Sequence, residues 1–218
     1  MYNVGFIPVR AGSKGLKSKN IADLGGKPLV WYTLNAAQNS KLDKVYLSTD
    51  SDLIRNVVES FEFDKVEVIE RSAETANDKA TSESALIEFT QKIEFDNVVF
   101  LQATSPFTTY KDIDGALDKF LSNNYNSLIS VVKNHQFIWD TKGNPLNYDP
   151  QIRPRRQDWD GYYIENGAFY ISSKKNILES ACRITPPVGT WEMAKTSLIE
   201  IDSEEDLKIA ETLLNIIH

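Results

Sequence analysis

The sequence predicts an α/β fold in which helices cover both faces of a mostly parallel sheet. Apolar runs alternate with amphipathic segments along most of the 218-residue chain, and this alternation is typical of parallel strands joined by crossover helices. Several runs are continuously apolar, as expected for strands that are buried on both faces. The predicted strands span residues 4–9, 45–48, 66–69, 98–101, 128–132, 168–171 and 198–201.

Helix starts are recognisable between these strands. Pro28 lies at the first turn of a segment with helical apolar spacing. Thr81 or Ser82 is the predicted cap of a second helix, and Ser203 with Asp206 resembles a capping box before a third. The last of these helices has an apolar stripe formed by Leu207, Ala210, Leu213, Leu214 and Ile217.

Length and composition indicate one globular domain over residues 1–218. A chain of this size buries roughly 70% of its unfolded surface without disulfides, and Cys182 is its only cysteine, which suits a reducing compartment. The first residues do not resemble a signal peptide, and no run approaches the ~20 apolar residues that cross a bilayer. We therefore expect a soluble, cytoplasmic protein. Its net charge of −7 argues against bulk binding to nucleic acid.

A cation-rich, glycine-containing loop follows the first predicted strand. Residues 10–19 include Arg10, Lys14, Lys17 and Lys19 and no acidic residue, although the chain as a whole is acidic. Gly12 and its neighbours let backbone N–H groups approach an anion closely. In open parallel sheets, ligands gather at the carboxyl ends of the strands, which is where this loop lies. The alternative is an ordinary solvated turn.

The spacing of this loop excludes the two commonest phosphate-binding motifs. It lacks the G-x-x-x-x-G-K-[ST] order of a P-loop. It also lacks the G-x-G-x-x-G order, and the acidic residue about twenty positions later, of a dinucleotide-binding fold. Ordinary kinase and dehydrogenase functions are therefore disfavoured.

Several blocks in order along the chain resemble the acylneuraminate cytidylyltransferases, the CMP-sialic acid synthetases. They are IPVRAGSKG (7–15), KNI (19–21), RSAETAND (71–78), LQATSP (101–106), ENGAFYI (165–171) and EID (200–202). The resemblance implies a three-layer, Rossmann-like nucleotidyltransferase fold. It also implies Mg²⁺-dependent transfer of CMP from CTP to the anomeric hydroxyl of a nonulosonic (sialic-type) acid, with release of pyrophosphate.

The same resemblance implies a nucleotide site. Its implied nucleotide-binding residues are Arg10, Ala11, Gly12, Ser13, Lys19, Asn20, Arg71 and Ser82. Of these, Arg71 and Ser82 match positions associated with cytidine recognition. Lys19, Arg10 and Asp202 are the implied catalytic residues, and Lys19 is suited to stabilising charge on the leaving pyrophosphate. The resemblance does not assign Lys14 and Lys17 a phosphate contact as directly, and the alternative is that both are exposed surface cations.

The predicted metal ligands are Glu200 and Asp202. They lie two residues apart on the predicted last strand, so we expect both carboxylates on one face, where hard oxygen ligands suit Mg²⁺. The matching family positions carry the catalytic metal, although an Asp is common where this chain has Glu200. The alternative is an acidic patch before the last helix. The residue that accepts the acceptor's proton stays open among Asp202, a metal-bound water and solvent.

The resemblance also implies the acceptor-binding residues. They are Gln102, Thr104, Ser105, Arg156, Gln157, Asn166 and Tyr170. A guanidinium such as that of Arg156 grips a carboxylate bidentately, and Arg153 and Arg155 are alternatives for that role. Relatives often have a His-Pro pair and a nearby basic residue in the arm, whereas this chain has His135 followed by Gln136. Sialic, legionaminic, pseudaminic and deaminated nonulosonic acids therefore all remain candidates for the acceptor.

Residues 133–163 interrupt the alternation of strands and helices. Turn-forming residues punctuate large aromatic residues there, which indicates an ordered arm. Aromatic side chains on such an arm need burial, and a second subunit provides it. The resemblance implies that this inserted arm forms a homodimer contact and reaches toward the neighbouring pocket. The alternative is an arm folded onto its own domain.

Two other functions stay open. One is a cytidylyltransferase for an eight-carbon acid such as Kdo, which shares the fold and chemistry. The other is a nucleotide-binding module without catalysis, which the presence of Glu200, Asp202 and Lys19 disfavours.

Overall fold

The computed structural model describes residues 1–12, 16 and 18–217. Four residues of the predicted anion loop, Ser13, Lys14, Gly15 and Lys17, lie outside the described residues. Across the described residues, a seven-stranded sheet has the order β5-β4-β1-β6-β8-β7-β9, and β2 and β3 form a separate hairpin. The strands are β1 (Asn3–Pro8), β2 (Asp23–Leu24), β3 (Lys27–Pro28), β4 (Lys44–Thr49), β5 (Val66–Glu70), β6 (Asn97–Leu101), β7 (Ser127–Asn134), β8 (Tyr162–Ser173) and β9 (Val188–Glu192).

The strand pairings confirm a mostly parallel sheet. β1 pairs in parallel with β4 and β6, β4 with β5, and β7 with β9. Only β8 runs against its neighbours, since it lies between β6 and β7 and is antiparallel to both. The central strand β6 is buried at every position, which agrees with its continuous apolar sequence.

Helices cover both faces of the sheet. They are α1 (Leu29–Gln38), α2 (Asp52–Glu59), α3 (Ala73–Ala76), α4 (Ser82–Lys92), α5 (Tyr110–Leu121), α6 (Lys174–Ser180) and α7 (Glu204–Ile217). Adjacent residues of β1 show the two faces: Ile7 packs in the core with residues of α1, α2 and α5, whereas Phe6 packs in the core with residues of α4 and α6. The predicted α/β architecture is confirmed. In the part of the chain that the structure describes, no helix combines the length and apolarity needed to span a membrane.

The predicted helix caps are present. The side chain of Thr81 accepts a hydrogen bond from the Ser84 backbone N–H at the start of α4. At the start of α7, Ser203 Oγ accepts from the Asp206 N–H at 3.2 Å, and Asp206 Oδ2 accepts from the Ser203 N–H at 2.9 Å. This reciprocal pair is a capping box.

The predicted strand at 198–201 is wrong. A 3₁₀ helix covers Lys195–Leu198, and an irregular segment leads from it to α7. Ile201 is fully buried in a small cluster that also contains Leu24 and Ala210, and its backbone N–H donates to the Thr104 carbonyl at 2.9 Å. Ile201 is thus buried beneath the last helix without joining the sheet, whereas Leu198 is 39% exposed. The last strand of the sheet is β9 instead, at the edge opposite β5, and its mixed sequence does not have the continuous apolar run of a central strand.

The segment between β7 and β8 contains the predicted arm. Phe137 stacks on Tyr148 at a centroid distance of 4.1 Å and on Trp159 at 4.8 Å. The Arg153 guanidinium lies 4.3 Å from the centre of the Phe137 ring. These aromatic side chains pack against one another, so the arm has a small core of its own. Its role as a dimerisation arm stays a prediction.

Candidate nucleotide site

A cavity of about 390 Å³ opens at the carboxyl ends of β1, β5 and β6. This is the edge at which open α/β sheets bind ligands. Nine of the predicted site residues line it, although they come from distant parts of the chain. The lining residues are Pro8, Arg10, Gly12, Lys19, Asn20, Arg71, Ala80, Thr81, Ser82, Gln102, Thr104 and Asp202.

An ion pair between Lys19 and Asp202 lies in this cavity. Lys19 Nζ donates to Asp202 Oδ1 at 2.6 Å, and the two residues are 183 positions apart in sequence. The lysine side chain is only 16% exposed, whereas that of Asp202 is 68% exposed. The short 3₁₀ helix Lys19–Ile21 therefore presents its cation to a carboxylate that precedes α7. The fold brings the predicted nucleotide-binding cation Lys19 next to the predicted metal ligand Asp202.

The loop after β1 is fixed from two sides. Arg10 Nη1 donates to the Asn77 carbonyl at 3.0 Å and to Asp78 Oδ1 at 2.9 Å. The Ala11 backbone N–H donates to Asp50 Oδ1 at 2.8 Å. That N–H of the predicted nucleotide-binding residue Ala11 is therefore already bonded within the protein. Asp50 was not among the predicted site residues.

Asn20, in the 3₁₀ helix Lys19–Ile21, contacts the backbone of Arg10. It is 8% exposed, and its side-chain amide nitrogen donates to the Arg10 carbonyl at 3.3 Å. Asn20 thus both lines the cavity and holds the backbone of Arg10.

Arg71 is a buried cation with spare hydrogen-bonding capacity. Its side chain is only 7% exposed, and Nη2 donates to the Thr75 carbonyl. Within the described residues, its buried Nε has no hydrogen-bond partner. Burial lowers the pKa of Arg71, against the opposing charges of Asp50 and Glu88. A buried donor without a partner is costly, so Arg71 is held at some cost beside the cavity that it lines.

A carboxylate beneath Arg71 accepts several hydrogen bonds. Glu88 on α4 accepts from the Ser72 backbone N–H at 3.2 Å, from Ser72 Oγ at 2.9 Å, from Thr75 Oγ1 and from Lys92 Nζ. Burial alone raises the pKa of Glu88, but the hydrogen bonds from Lys92, Thr75 and Ser72 outweigh it and lower the pKa to about 2. The ionised carboxylate therefore fastens α3 to α4.

We expect Glu88 to contribute to acid sensitivity. Because its folded pKa of about 2 lies below the unfolded value of about 4.3, its stabilisation is fully present above about pH 5 and is lost as pH falls toward 2. Glu88→Gln should therefore lower the urea midpoint at pH 7, and the gap from the natural chain should narrow at pH 3. An equal gap at both pH values would contradict this expectation.

The loop after β6 places Gln102 and Thr104 on the cavity wall. Thr104 Oγ1 donates to Glu200 Oε1 at 3.0 Å. The third predicted residue of this loop, Ser105, is 1% exposed, and its hydroxyl oxygen has no partner in the described part of the chain. Gln102 and Thr104 are thus available to a ligand, whereas Ser105 lies beneath the surface.

The two predicted metal ligands contact different groups. Glu200 meets Thr104 and Asp202 meets Lys19, and they do not lie on a common strand. Among the described residues, no group of three or more His, Cys, Asp or Glu side chains is arranged to hold a metal by itself. Mg²⁺ needs fewer protein ligands, because it retains waters and shares phosphate oxygens. The donors therefore suit a magnesium ion that arrives with a nucleotide, with Asp202 as its carboxylate on the cavity wall.

A second cavity, of about 370 Å³, lies at the base of the arm. Of the described residues that line it, three are cations, one is a histidine and none is a carboxylate. The lining residues are Lys133, Asn134, His135, Gln136, Phe137, Arg156, Trp159, Lys195 and Leu198. Among the residues that the structure describes, the two cavities share no lining residue. Its charge suits an anion, and Lys133 and Lys195 were not among the predicted residues. The predicted residue Gln157 follows Arg156 in sequence and is exposed, but it is not among the residues that line this cavity.

Asn166 makes internal contacts just beyond the carboxyl end of β6, because Leu101 at that end pairs with Phe169 of β8. It is 6% exposed, and its amide nitrogen donates to Ser197 Oγ at 2.8 Å, which anchors the 3₁₀ helix Lys195–Leu198. Gly167, with φ of +70°, follows it, and glycine adopts this left-handed backbone without strain.

Tyr170 is buried beside two charged residues. Its hydroxyl donates to Glu165, and the Arg183 guanidinium lies 4.3 Å from the centre of its ring. Burial and the bonded carboxylate raise the pKa of Tyr170. The structure therefore places Asn166 and Tyr170 in internal contacts, outside the lining of either cavity.

Comparison with known proteins shows the family to which this chain is similar. A family model described as cytidylyltransferase matches residues 4–215. The chain is 38% identical over 217 residues to the N-acylneuraminate cytidylyltransferase of Oncorhynchus mykiss, covering 94% of this chain and 48% of the relative. It is 33% identical to the enzyme of that name from Streptococcus agalactiae serotype III, covering 92% and 50%. The chain spans about half the length of the curated relatives that it matches.

Two solved structures share the fold. A CMP:2-keto-3-deoxy-manno-octonic acid synthetase in complex with CTP superposes with a TM-score of 0.77 at 20% identity, with all of both chains covered. A 4-diphosphocytidyl-2C-methyl-D-erythritol synthase from Anaerococcus prevotii gives 0.71 at 17% identity, with 98% and 96% covered. The nucleotidyltransferase fold expected from the sequence is therefore confirmed. Because the family match extends over nearly the whole chain, this protein belongs to the cytidylyltransferase family.

Proposed function

We propose that the protein transfers a cytidylyl group from CTP to the anomeric hydroxyl of a nonulosonic, sialic-type acid. The anomeric oxygen bonds to the α-phosphorus while the bond from that phosphorus to pyrophosphate breaks, and the hydroxyl proton passes to water or a carboxylate. One observation carries the proposal: Arg10, Lys19, Arg71 and Asp202 converge on one cavity at the carboxyl edge of the sheet. The names of the relatives at 33–38% identity support the sialic-type acceptor.

The cavity residues divide into phosphate and metal roles. Arg10 and Asn20 hold the triphosphate, and Lys19 meets the charge that develops on pyrophosphate as it leaves. Asp202 would hold Mg²⁺, which when bound supplies positive charge against the phosphates. With nucleotide and metal bound, Asp202 would face the metal and Lys19 the phosphates, so neither charge would lack a partner. Arg71 and Ser82 face the nucleoside end of the cavity.

Pyrophosphate release tests the proposal directly. The purified chain is mixed with CTP, Mg²⁺ and a panel of acids: sialic, legionaminic, pseudaminic and deaminated nonulosonic acids, and Kdo. We expect release with at least one nine-carbon acid and none when the acceptor is left out. Release with Kdo alone would assign the eight-carbon reaction instead, and no release with any acid would reject the enzyme function.

The cation-lined cavity at the arm is the proposed carboxylate site. Arg156→Ala should raise the KM for the acceptor by about tenfold or more, the scale of a lost charge-assisted contact, and leave the KM for CTP unchanged. Arg155→Ala is the matched control, because Arg155 pairs with Asp158 at 2.6 Å and does not line the cavity. A larger effect from Arg155 would transfer the role to that residue.

The proposed arm also provides a contact with a second copy. Large apolar side chains remain exposed on it, including Trp139 at 49%, Leu146 at 63% and Ile152 at 77%, and burial against a partner would stabilise them. We propose a homodimer through residues 133–163 of a single 1–218 domain, in which the arm cavity serves the neighbouring nucleotide site. Light scattering that gives the mass of a monomer would reject the homodimer.

We also propose a cytoplasmic location, since the lone Cys182 suits a reducing compartment.

A further inference from the structure

One short segment holds both arginines of the nucleotide cavity. Arg71 begins it and bonds to the Thr75 carbonyl within it. Its far end holds Arg10, through the Asn77 carbonyl at 3.0 Å and Asp78 Oδ1 at 2.9 Å. The segment includes α3, a helix of only four residues, which is too short to be stable by itself. The positions of the two guanidinium groups therefore depend on whatever fixes this segment to the rest of the protein.

The segment is fixed by Glu88. From α4, this carboxylate accepts two hydrogen bonds from Ser72 and one from Thr75. Ser72 is the N-cap of α3, and Thr75 lies within that helix. Its side chain is 14% exposed and does not line the cavity. It thus reaches the site only through other residues.

We infer that Glu88 is a positioning residue for the nucleotide site, which sets Arg71 and Arg10 at the spacing that the triphosphate and cytidine require. This inference rests on the proposed function. The physical link is the backbone between residues 71 and 78. A buried guanidinium follows the backbone that carries it, and the Thr75 carbonyl that orients Arg71 belongs to the residue whose hydroxyl Glu88 holds. Charge-assisted hydrogen bonds of this kind fix geometry more firmly than neutral ones.

A purely structural role for Glu88 makes a different prediction. If the carboxylate only stabilised the fold, its loss would lower the folded fraction, and the folded molecules would bind CTP with unchanged affinity. If it positions the arginines, folded molecules bind CTP more weakly and their affinity for the acceptor is unchanged. The dissociation constant for CTP, measured on folded protein, therefore separates the two roles.

The test compares Glu88→Ala and Glu88→Gln with the natural chain. CTP binding is measured by calorimetry with Mg²⁺ and without acceptor, and the two KM values are measured by pyrophosphate release. We expect Glu88→Ala to raise the Kd and KM for CTP by about tenfold, the scale of one or two lost hydrogen bonds to a charged group. Glu88→Gln retains an acceptor oxygen and should restore part of the affinity. Glu94→Gln, a carboxylate that is 95% exposed, is the matched control and should bind CTP normally.

The possible outcomes test the positioning role of Glu88 and the proposed function separately. A folded Glu88→Ala variant with an unchanged Kd for CTP overturns the positioning role. If that variant does not fold, Ser72→Ala and Thr75→Val each remove one hydroxyl donor to Glu88, and an unchanged Kd in both also overturns it. A natural chain that binds CTP but releases no pyrophosphate with any acid refutes the proposed function alone. A natural chain that does not bind CTP refutes both.

Discussion

Replacing Lys19 with alanine is expected to lower kcat/KM for CTP by at least about a hundredfold, the scale at which removal of one charge-stabilising donor slows an enzyme. The side chain of Lys19 lines the nucleotide cavity and is 16% exposed. Its ammonium is therefore partly desolvated, which strengthens its interaction with charge that develops on leaving pyrophosphate. The rate of pyrophosphate release at saturating acceptor measures the effect.

The fold should tolerate this change. An ion pair with one exposed partner contributes only about 0–1 kcal/mol, and Asp202, at 68% exposed, is solvated when the lysine is removed. The thermal midpoint of Lys19→Ala should therefore stay close to that of the natural chain. Lys41→Ala is a matched control, since Lys41 also pairs with an aspartate, Asp118 at 2.7 Å, but lies outside the cavity. Near-normal turnover in Lys19→Ala would reject its phosphate role.

Asp202→Asn is expected to raise the Mg²⁺ concentration needed for half-maximal rate by about tenfold or more, and to slow turnover at fixed Mg²⁺. The amide has nearly the shape of the carboxylate but no charge, so it is a weak ligand for a hard cation. It also weakens the contact with Lys19, which leaves that cation free for phosphate. CTP binding should therefore be partly retained. The measurement is a Mg²⁺ titration of pyrophosphate release.

Glu200→Gln separates the two predicted metal ligands. Glu200 Oε1 accepts from Thr104 at 3.0 Å and does not line the cavity, and glutamine retains an acceptor for that hydroxyl. Its Mg²⁺ requirement should thus change less than that of Asp202→Asn. An unaltered Mg²⁺ dependence in Asp202→Asn would count against the metal role of Asp202, and a larger shift in Glu200→Gln would transfer that role to Glu200.

The sheet shows how far local patterns extend. Apolar runs identified β1, β4, β6 and β7 and the buried part of β8, because a strand covered on both faces has few polar residues. The edge strand β5 was identified as well, although glutamates interrupt its apolar residues and none of its residues is buried. The edge strand β9 has helices and solvent around it, so its sequence is mixed and was missed. The run at 198–201 was wrongly predicted as a strand because it contains the fully buried Ile201. That residue packs beneath the last helix and not in the sheet.

In the candidate nucleotide site too, the sequence predicted some residues and missed others. The ordered blocks identified Arg10, Lys19, Arg71 and Asp202, which the structure brings to one cavity. Asp50 and Glu88 were missed, since no local pattern distinguishes a carboxylate that anchors a loop from one that faces water. Asn166 and Tyr170, which the resemblance assigned to the acceptor, have internal hydrogen-bond partners here, and their acceptor role stays a prediction.

The sequence by itself determined the α/β class, the helix caps and a cation-rich loop at a strand end, because these depend on periodicity and on neighbours within a few residues. Only the tertiary structure decided which charges meet. Lys19 finds Asp202 across 183 positions, and Glu88 holds the segment that carries Arg71. Such partners are set by how strands and helices pack in space, and sequence spacing does not encode that packing. Arg10, Gly12 and Lys19 of the cation-rich loop thus line the candidate nucleotide cavity because the fold brings the carboxyl ends of β1, β5 and β6 together.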